Sequence, residues 1–166
     1  MPSTSDLEGR VFFDAGLFIG ALLEDDVRHL EARPFVETAR AGGIQVVTCA
    51  GLLCEVYAAL TWEKATPRHE PQAAAEAVKL LVEPPSAIEV LESKTGVTAF
   101  AVEIAAANGL TGRRVHDAHH AAIALLSGIY GVFTYDIDDW EVFRANGLRI
   151  VGPPSVLERL EARKGA

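Results

Sequence analysis

Acidic side chains crowd together just after a short apolar segment near the end of the chain. Residues 132–135 are β-branched or aromatic and follow Gly131, which predicts a short buried strand that ends where Asp136 begins. Asp138 and Asp139 follow within the next turn. Neighbouring carboxylates repel one another unless a cation or a helix N-terminus offsets their charge. Because ligands of layered α/β proteins bind beyond the carboxyl ends of the strands, this cluster predicts a metal site.

A plainer interpretation of the same cluster is helix capping. Asp138 or Asp139 would cap a helix that runs on through Trp140, and the other acids would simply be solvated. Capping acids are common at helix starts, so the cluster alone does not establish a site. The rest of the chain has to decide between the two interpretations.

Three further carboxylates stand alone in long apolar runs. They are Asp14 within residues 11–23, Glu55 within residues 42–61 and Asp117 within residues 115–135. Burying an unpaired carboxylate is costly, and these segments hold no Lys or Arg to compensate. The economical explanation is that the three acids converge with Asp136 and its neighbours around shared cations. Ligation by carboxylate oxygens alone favours hard ions, Mg²⁺ or Mn²⁺, over zinc.

Each solitary acid also has an interpretation without function. Asp14 could end a strand and cap the next helix, Glu55 could reach solvent from a helix flank, and Asp117 suits the first turn of a helix. His116 and His120 are at a spacing that can place two imidazoles on one helix face, as in many zinc sites. No third separated zinc ligand stands out, so the joint acid pattern favours the shared site for a hard ion.

Composition bounds the class of protein. The chain has 166 residues, 49% of them hydrophobic, and we expect a single domain over 1–166 with a flexible leader over 1–9. Cys49 and Cys54 are the only cysteines and no secretory signal precedes them, which predicts reduced thiols in the cytoplasm. Residues 118–135 carry no formal charge, but histidines and glycines interrupt them, so no membrane span is expected. A net charge of -8 argues against broad electrostatic binding to nucleic acid, unless bound cations reverse the local field.

Strand and helix patterns alternate along the chain. Strands are predicted at 10–14, 44–48, 88–91, 132–135 and 148–151, and glutamates beside the third indicate an edge position. Helices are predicted as a short one ending near 24–26, then at 27–41, 49–64, 72–82, 95–108, 113–127 and 155–163. Pro34 is expected to kink or break the second helix. This alternation predicts an α/β protein whose parallel sheet is covered on both faces.

Taken in chain order, Asp14, Glu55, Asp117 and Asp136 resemble the acid set of PIN-domain ribonucleases, particularly the VapC-like toxins of prokaryotic toxin–antitoxin pairs. Five segments spread over nearly the whole chain carry the resemblance: Phe-Phe-Asp-Ala-Gly-Leu-Phe-Ile at 12–19, Thr-Cys-Ala-Gly-Leu-Leu-Cys-Glu-Val at 48–56, Arg-Val-His-Asp-Ala-His-His-Ala-Ala at 114–122, Phe-Thr-Tyr-Asp-Ile-Asp-Asp-Trp at 133–140 and Asn-Gly-Leu-Arg-Ile-Val-Gly-Pro-Pro at 146–154. Each motif is loose by itself, and their order and spacing are the more specific signal.

The resemblance implies a three-layer α/β/α PIN-like fold with a central parallel sheet of about five strands. It implies an endoribonuclease dependent on Mg²⁺ or Mn²⁺, with four catalytic acids that also bind the metal: Asp14, Glu55, Asp117 and Asp136. Asp138 or Asp139 would be an auxiliary ligand. The implied partners are an RNA substrate, a VapB-like antitoxin and a second copy of the chain, in the cytoplasm.

Two departures from the family pattern bear on the site. Ala15 follows the first acid where many members carry Thr or Ser, so no hydroxyl is available there. Asp139 stands where the aromatic residue of the last motif is expected, with Trp140 after it, which leaves open whether Asp138 or Asp139 is the second acid of that motif.

Residues near the acids are assigned further roles by position. Thr134 is expected to contact a ligand or the RNA backbone, while Arg113, Arg114 and His116 either meet phosphates or are solvated. The apolar helices around 17–23 and 52–60 either face an antitoxin or belong to the core. Two other functions stay open, a PIN-like binding module without cleavage and a zinc hydrolase that uses His116 and His120.

Overall fold

Five short parallel strands form the centre of the molecule. The computed structural model describes residues 9–164, so the expected leader lies outside the described residues apart from Gly9. The strands are β1 Val11–Phe13, β2 Val46–Cys49, β3 Glu89–Leu91, β4 Gly131–Phe133 and β5 Arg149–Val151. Their order across the sheet is β3-β2-β1-β4-β5, and every neighbouring pair is parallel. The expected edge position of β3 is thus confirmed.

The register between β1 and β4 joins two distant parts of the chain. Phe13 pairs with Phe133, and the amide of Asp14 donates to the carbonyl oxygen of Phe133 at 3.2 Å. Every residue of both strands is buried, because helices pack against both faces of the sheet. The residues that follow β1 and β4 therefore emerge side by side at the carboxyl edge of the sheet.

Helices fill the connections between the strands. Within residues 9–164 they are α1 Ala15–Leu22, α2 His29–Arg40, α3 Ala50–Thr61, α4 Pro71–Val82, α5 Val97–Ala107, α6 Val115–Leu126, α7 Ile137–Trp140 and α8 Pro154–Lys164. Two 3-10 helices, Gly112–Arg114 and Glu141–Asn146, precede α6 and follow α7. α1 packs against α2 and α3, and α5 packs against α6. None of these helices combines the length and apolar character needed to cross a membrane.

Pro34 lies inside α2 and does not break it. A proline in a helix removes one backbone hydrogen bond, here to the carbonyl of Leu30. Leu30 is exposed, so water can satisfy that carbonyl. The next residue, Phe35, packs its ring edge-on against Phe133 with the centroids 4.9 Å apart, and this contact with the core holds the second half of the helix in place.

The apolar faces of α1 and α3 belong to the core. Leu17, Leu52 and Leu60 are fully buried, which places these residues in the core, while Leu53 and Tyr57 of α3 are not buried. Val27 (100% exposed) and Leu30 (89% exposed) are much more exposed, and both line a surface concavity together with Asp136. Cys49 and Cys54 are both free thiols, as expected.

Candidate active site

Asp14 is fixed at the centre of the carboxyl edge of the sheet. It lies between β1 and α1 and is only 8% exposed. Its Oδ1 accepts a hydrogen bond from the amide of Ala15 at 2.9 Å, and its Oδ2 accepts from the hydroxyl of Thr134 at 2.7 Å and from Nε1 of Trp140 at 3.3 Å. One buried carboxylate thus caps a helix and also accepts two donors from across the sheet.

Thr134 holds this arrangement together from the strand next to β1. Its hydroxyl donates to Asp14 and accepts a hydrogen bond from the amide of Asp136 at 2.9 Å. The expectation that Thr134 contacts a ligand or RNA is wrong, because the residue is 0% exposed. Its position after a strand that must pair with β1 is the only sequence signal for its role. Thr134 supplies from β4 a hydroxyl for Asp14 that the neighbouring Ala15 lacks.

Trp140 reaches Asp14 from the end of α7. Its ring packs against Phe12, with centroids 6.1 Å apart, and against Phe143 at 5.7 Å, which aims the indole nitrogen at the carboxylate. α7 begins directly after Asp136, and the chain continues past Trp140 as a 3-10 helix. The expected helix cap at Asp138 or Asp139 is therefore wrong. Both acids lie within the first turn of α7.

The surroundings of Asp14 disfavour the ionised form of its carboxyl group. Burial raises the pKa of Asp14 to about 6, and repulsion from Asp136 acts in the same direction. The hydrogen bonds from Thr134, Ala15 and Trp140 lower the pKa, but not enough to offset burial. A nearby cation would favour the ionised form of this carboxylate, because opposite charge compensates the lost hydration.

Glu55 stands on α3, which follows the other neighbour of β1. Burial raises the pKa of Glu55 to about 7, and repulsion from Asp14 and Asp117 contributes in the same direction. Its side chain is half exposed, and its Oε1 lies 3.5 Å from Nε2 of His120. Burial lowers the pKa of His120 to about 4, so this imidazole is neutral near pH 7. Glu55 therefore keeps an uncompensated charge in the ionised state.

Asp117 lies in the first turn of α6, beside Arg114. Burial raises its pKa, while Arg114, whose Nε is 3.5 Å from Oδ2, lowers it and Asp139 raises it. Arg114 also donates to the backbone carbonyl of Asp139 at 2.7 Å and lies 3.5 Å from its carboxylate. Arg114 therefore connects the start of α6 to α7 and is paired with two carboxylates. Arg113 and His116 are exposed to solvent.

The remaining three acids, Asp136, Asp138 and Asp139, differ in what surrounds them. Asp136 is exposed at the end of β4 and near enough to Asp14 to raise the pKa of that residue. Asp138 is also exposed, and its nearest cation is Arg163 of α8, at 3.4 Å. Asp138 thus faces α8, while Asp139 faces Arg114 and Asp117.

The predicted acids form a chain of mutually repelling carboxylates. The charge of Asp136 raises the pKa of Asp14, and the charges of Asp14 and Asp117 raise the pKa of Glu55. The charge of Asp139 in turn raises the pKa of Asp117. These are all-oxygen donors, which suit a hard divalent ion. Within the described part of the chain, however, no three His, Cys, Asp or Glu side chains are already arranged around one point as metal ligands, the pair His116 and His120 included. The donor chemistry fits Mg²⁺ or Mn²⁺, and the exposed acids would have to turn inward to bind it.

Comparison with known proteins assigns the family. Residues 11–145 match the model of the PIN domain, so the chain belongs to the PIN domain family. No curated protein sequence matches the chain. The PIN-like α/β fold with its five-stranded parallel sheet is confirmed by its similarity to solved VapC structures.

Two solved structures illustrate the similarity. VapC20 of Mycobacterium tuberculosis, described as a sarcin–ricin loop cleaving toxin, has a TM-score of 0.59 and 19% identity, over 84% of this chain and 96% of that chain. VapBC2 of Rickettsia felis, bound to a DNA fragment from their promoter, has a TM-score of 0.60 and 12% identity, over 87% of this chain and 99% of that chain. At these identities the likeness concerns the fold alone.

Proposed function

We propose that this protein is an endoribonuclease that hydrolyses RNA phosphodiesters with the help of Mg²⁺ or Mn²⁺. The observation that carries the proposal is the convergence of acids from distant parts of the sequence at the carboxyl edge of the sheet. Thr134 and Trp140 hold Asp14 there by hydrogen bonds, and Glu55 and Asp136 lie close enough to Asp14 for the charges to repel. A protein gains nothing in stability from such repulsion, so a bound cation is the natural reason for it. Membership of the PIN family and the likeness to a toxin described as cleaving the sarcin–ricin loop support RNA as the substrate.

The proposed ligands are Asp14, Glu55, Asp117 and Asp136. When bound, a divalent ion lowers the pKa of a coordinated water and stabilises negative charge on the leaving oxygen. Thr134 and Trp140 hold Asp14 in one orientation, so Asp14 supplies a fixed point toward which the exposed acids can turn. Burial of Asp14 keeps water away from one side of the site. We assign Asp139 rather than Asp138 as the auxiliary acid, because the charge of Asp139 raises the pKa of Asp117.

We further propose that the protein is the toxin of a toxin–antitoxin pair, acts in the cytoplasm, and binds a VapB-like antitoxin as a homodimer. The likeness to a VapBC2 complex supports the antitoxin, and the two free thiols suit a reducing compartment. Val27 and Leu30 are fully or almost fully exposed where α1 leads into α2. Exposed large apolar side chains next to one another favour a protein partner.

The test of the nuclease proposal is cleavage of a structured RNA while Mn²⁺ is titrated into the wild type and into Asp14→Asn. We expect cleavage that depends on Mn²⁺ in the wild type and its loss in the variant. Asp25→Asn is the matched control, because Asp25 is an exposed aspartate outside the acid cluster. Activity of Asp14→Asn equal to that of the control would refute the mechanism.

The second candidate function is a PIN-fold binding module that does not cleave RNA. The ion pairs of Arg114 with Asp117 and Asp139 favour it, since a guanidinium there compensates two acids without a metal. Replacement of Arg114 by Gln separates the two functions. In a nuclease, Mn²⁺ stabilises the variant more than the wild type, because the ion no longer competes with the guanidinium. In a module without a metal site, Mn²⁺ stabilises neither protein.

A further inference from the structure

One buried polar side chain beside the acids has no part in the mechanism above. His120 lies on α6, is only 4% exposed, and has Gly51 and Glu55 of α3 as neighbours. Its Nε2 is 3.5 Å from Oε1 of Glu55, which is somewhat longer than a formed hydrogen bond. The Glu55 side chain is half exposed and therefore free to close this gap by a small rotation.

The helix opposite His120 is shaped to admit the imidazole. Gly51 lies one turn before Glu55, on the same side of α3. A Cβ atom added at Gly51 would stand 2.8 Å from Nε2 of His120, closer than such atoms approach in proteins. The glycine therefore leaves the space through which the imidazole reaches the carboxylate.

An ordinary core histidine would not need this arrangement. Burying imidazole is costly unless its nitrogens find partners, and an apolar residue would fill the space between α3 and α6 more cheaply. A Lys or Arg could also reach Glu55, but its fixed positive charge would compete with a divalent ion for the carboxylate. An imidazole with its proton on Nε2 donates a hydrogen bond and leaves the carboxylate free to bind a cation.

We propose that His120 is a positioning residue which, through the space left by Gly51, holds the carboxylate of Glu55 in the orientation that binds the divalent ion. This inference rests on the metal-dependent function proposed above. It adds a role for a residue outside the acid set. His120 touches neither the RNA nor the ion. It acts through Glu55, in the way that partners of metal ligands commonly orient them.

The test is direct measurement of Mn²⁺ affinity, by calorimetry and by the EPR signal of free Mn²⁺, without RNA present. We expect His120→Leu to weaken binding by about tenfold or more, the range found when the partner of a ligand is removed. His120→Gln keeps a donor near the position of Nε2, and its affinity should stay within about threefold of the wild type. His119→Gln, on the same helix but away from Glu55, is the matched control.

Gly51→Ala tests the same contact with His120 still present. Alanine is a better helix former than glycine, whereas the added Cβ must displace the buried imidazole, so the two effects on thermal stability oppose one another. We expect this variant to fold and to bind Mn²⁺ several-fold more weakly, because the imidazole no longer reaches Glu55. It also decides the matter if His120→Leu fails to fold.

The outcomes separate this inference from the function on which it rests. Wild-type affinity in both His120→Leu and Gly51→Ala would overturn the role of His120 and leave the nuclease proposal intact. A wild type that binds no Mn²⁺ would overturn both. Weaker binding in His120→Leu and Gly51→Ala, with near-normal binding in His120→Gln and His119→Gln, would establish the positioning role.

Discussion

Asp14 and Glu55 are both acids whose pKa is raised by burial, yet they differ in exposure and in the number of hydrogen-bond donors that hold them. Asp14 is almost fully buried, and three donors from Ala15, Thr134 and Trp140 hold it in place. Glu55 is half exposed and has one neighbouring imidazole, at a distance too long for a formed hydrogen bond. The side chain of Asp14 is therefore fixed in one orientation, whereas the side chain of Glu55 can change its orientation.

The difference follows from where each acid is attached. Asp14 continues a central strand whose neighbour β4 is followed by both Thr134 and, at the end of α7, Trp140. Glu55 projects from a helix, and its longer side chain has more rotatable bonds. A site built from one fixed ligand and several movable ones can hold its geometry and still admit a substrate. Loss of the fixed carboxylate of Asp14 should therefore lower RNA cleavage more than loss of the movable carboxylate of Glu55.

The sharpest way to break this comparison is to neutralise each acid in turn. We expect Asp14→Asn to lower RNA cleavage by more than about a hundredfold, since removal of a ligand exceeds the cost of removing its partners, and added Mn²⁺ should not restore the rate. Glu55→Gln should lose less activity and recover part of it at high Mn²⁺, because the other acids still turn inward. Rates measured over a Mn²⁺ series decide it, and equal losses without rescue would refute the distinction.

The buried charge of Asp14 also predicts how stability depends on pH in the absence of metal. Its pKa rises from 3.8 in the unfolded chain to about 6 in the fold, so between these values the folded state binds more protons. The contribution of Asp14 to stability is therefore intact below pH 3.8 and is lost as pH rises to about 6. The shift corresponds to a loss on the order of 3 kcal/mol.

The measurement is the free energy of unfolding by denaturant, from pH 4 to 7, for the wild type and Asp14→Asn. The pKa of His120, lowered to about 4, gives a slope of opposite sign over much of this range, so the difference between the two proteins is the informative quantity. Relative to the variant, the wild type should lose stability as pH rises from 4 to 6. Parallel curves would show that Asp14 is not held at a cost.

Thr134 allows the fixing of Asp14 to be tested without removing its charge. Thr134→Val deletes the hydroxyl that donates to Asp14 and accepts from the amide of Asp136, and we expect Mn²⁺ affinity to fall by about tenfold. Thr48→Val is the matched control, because Thr48 is equally buried but donates only to the carbonyl of Phe13. Both variants should lose about 1–3 kcal/mol of stability. An equal loss of metal affinity in both would mean that the hydroxyl of Thr134 has no special role.

Much of the fold is predictable from the sequence, because the signals are local. Buried parallel strands consist of short apolar runs, and Gly42, which has a positive φ, follows the end of α2 as a helix-terminating glycine. Of the kink or break expected at Pro34, the break is absent, for a reason that is not local. Packing of Phe35 on Phe133, far away in the sequence, outweighs one lost hydrogen bond.

In the candidate site, too, some residues have a local sequence signal and others do not. Isolated acids in apolar runs are visible in the sequence, which is why the residue pattern predicts Asp14, Glu55 and Asp117 as candidate ligands. Their supporting residues cannot be selected in this way, since the roles of Thr134 and His120 depend on strand order and on helix packing. Thr134 contacts Asp14 only because β4 lies beside β1, and His120 lies near Glu55 only because the fold brings these residues of α6 and α3 together.

The smallest expected effect concerns the two neighbouring acids of α7, which the sequence alone does not distinguish. Asp139 raises the pKa of Asp117 and lies 3.5 Å from Arg114, whereas Asp138 lies beside Arg163 of α8. We expect Asp139→Asn to weaken Mn²⁺ binding by about threefold, as an exposed residue at the edge of the site, and Asp138→Asn to leave it unchanged. Each variant is the control for the other, because both remove one exposed charge from the same helical turn. The reverse order would exchange their roles and place the auxiliary acid on the side of α8.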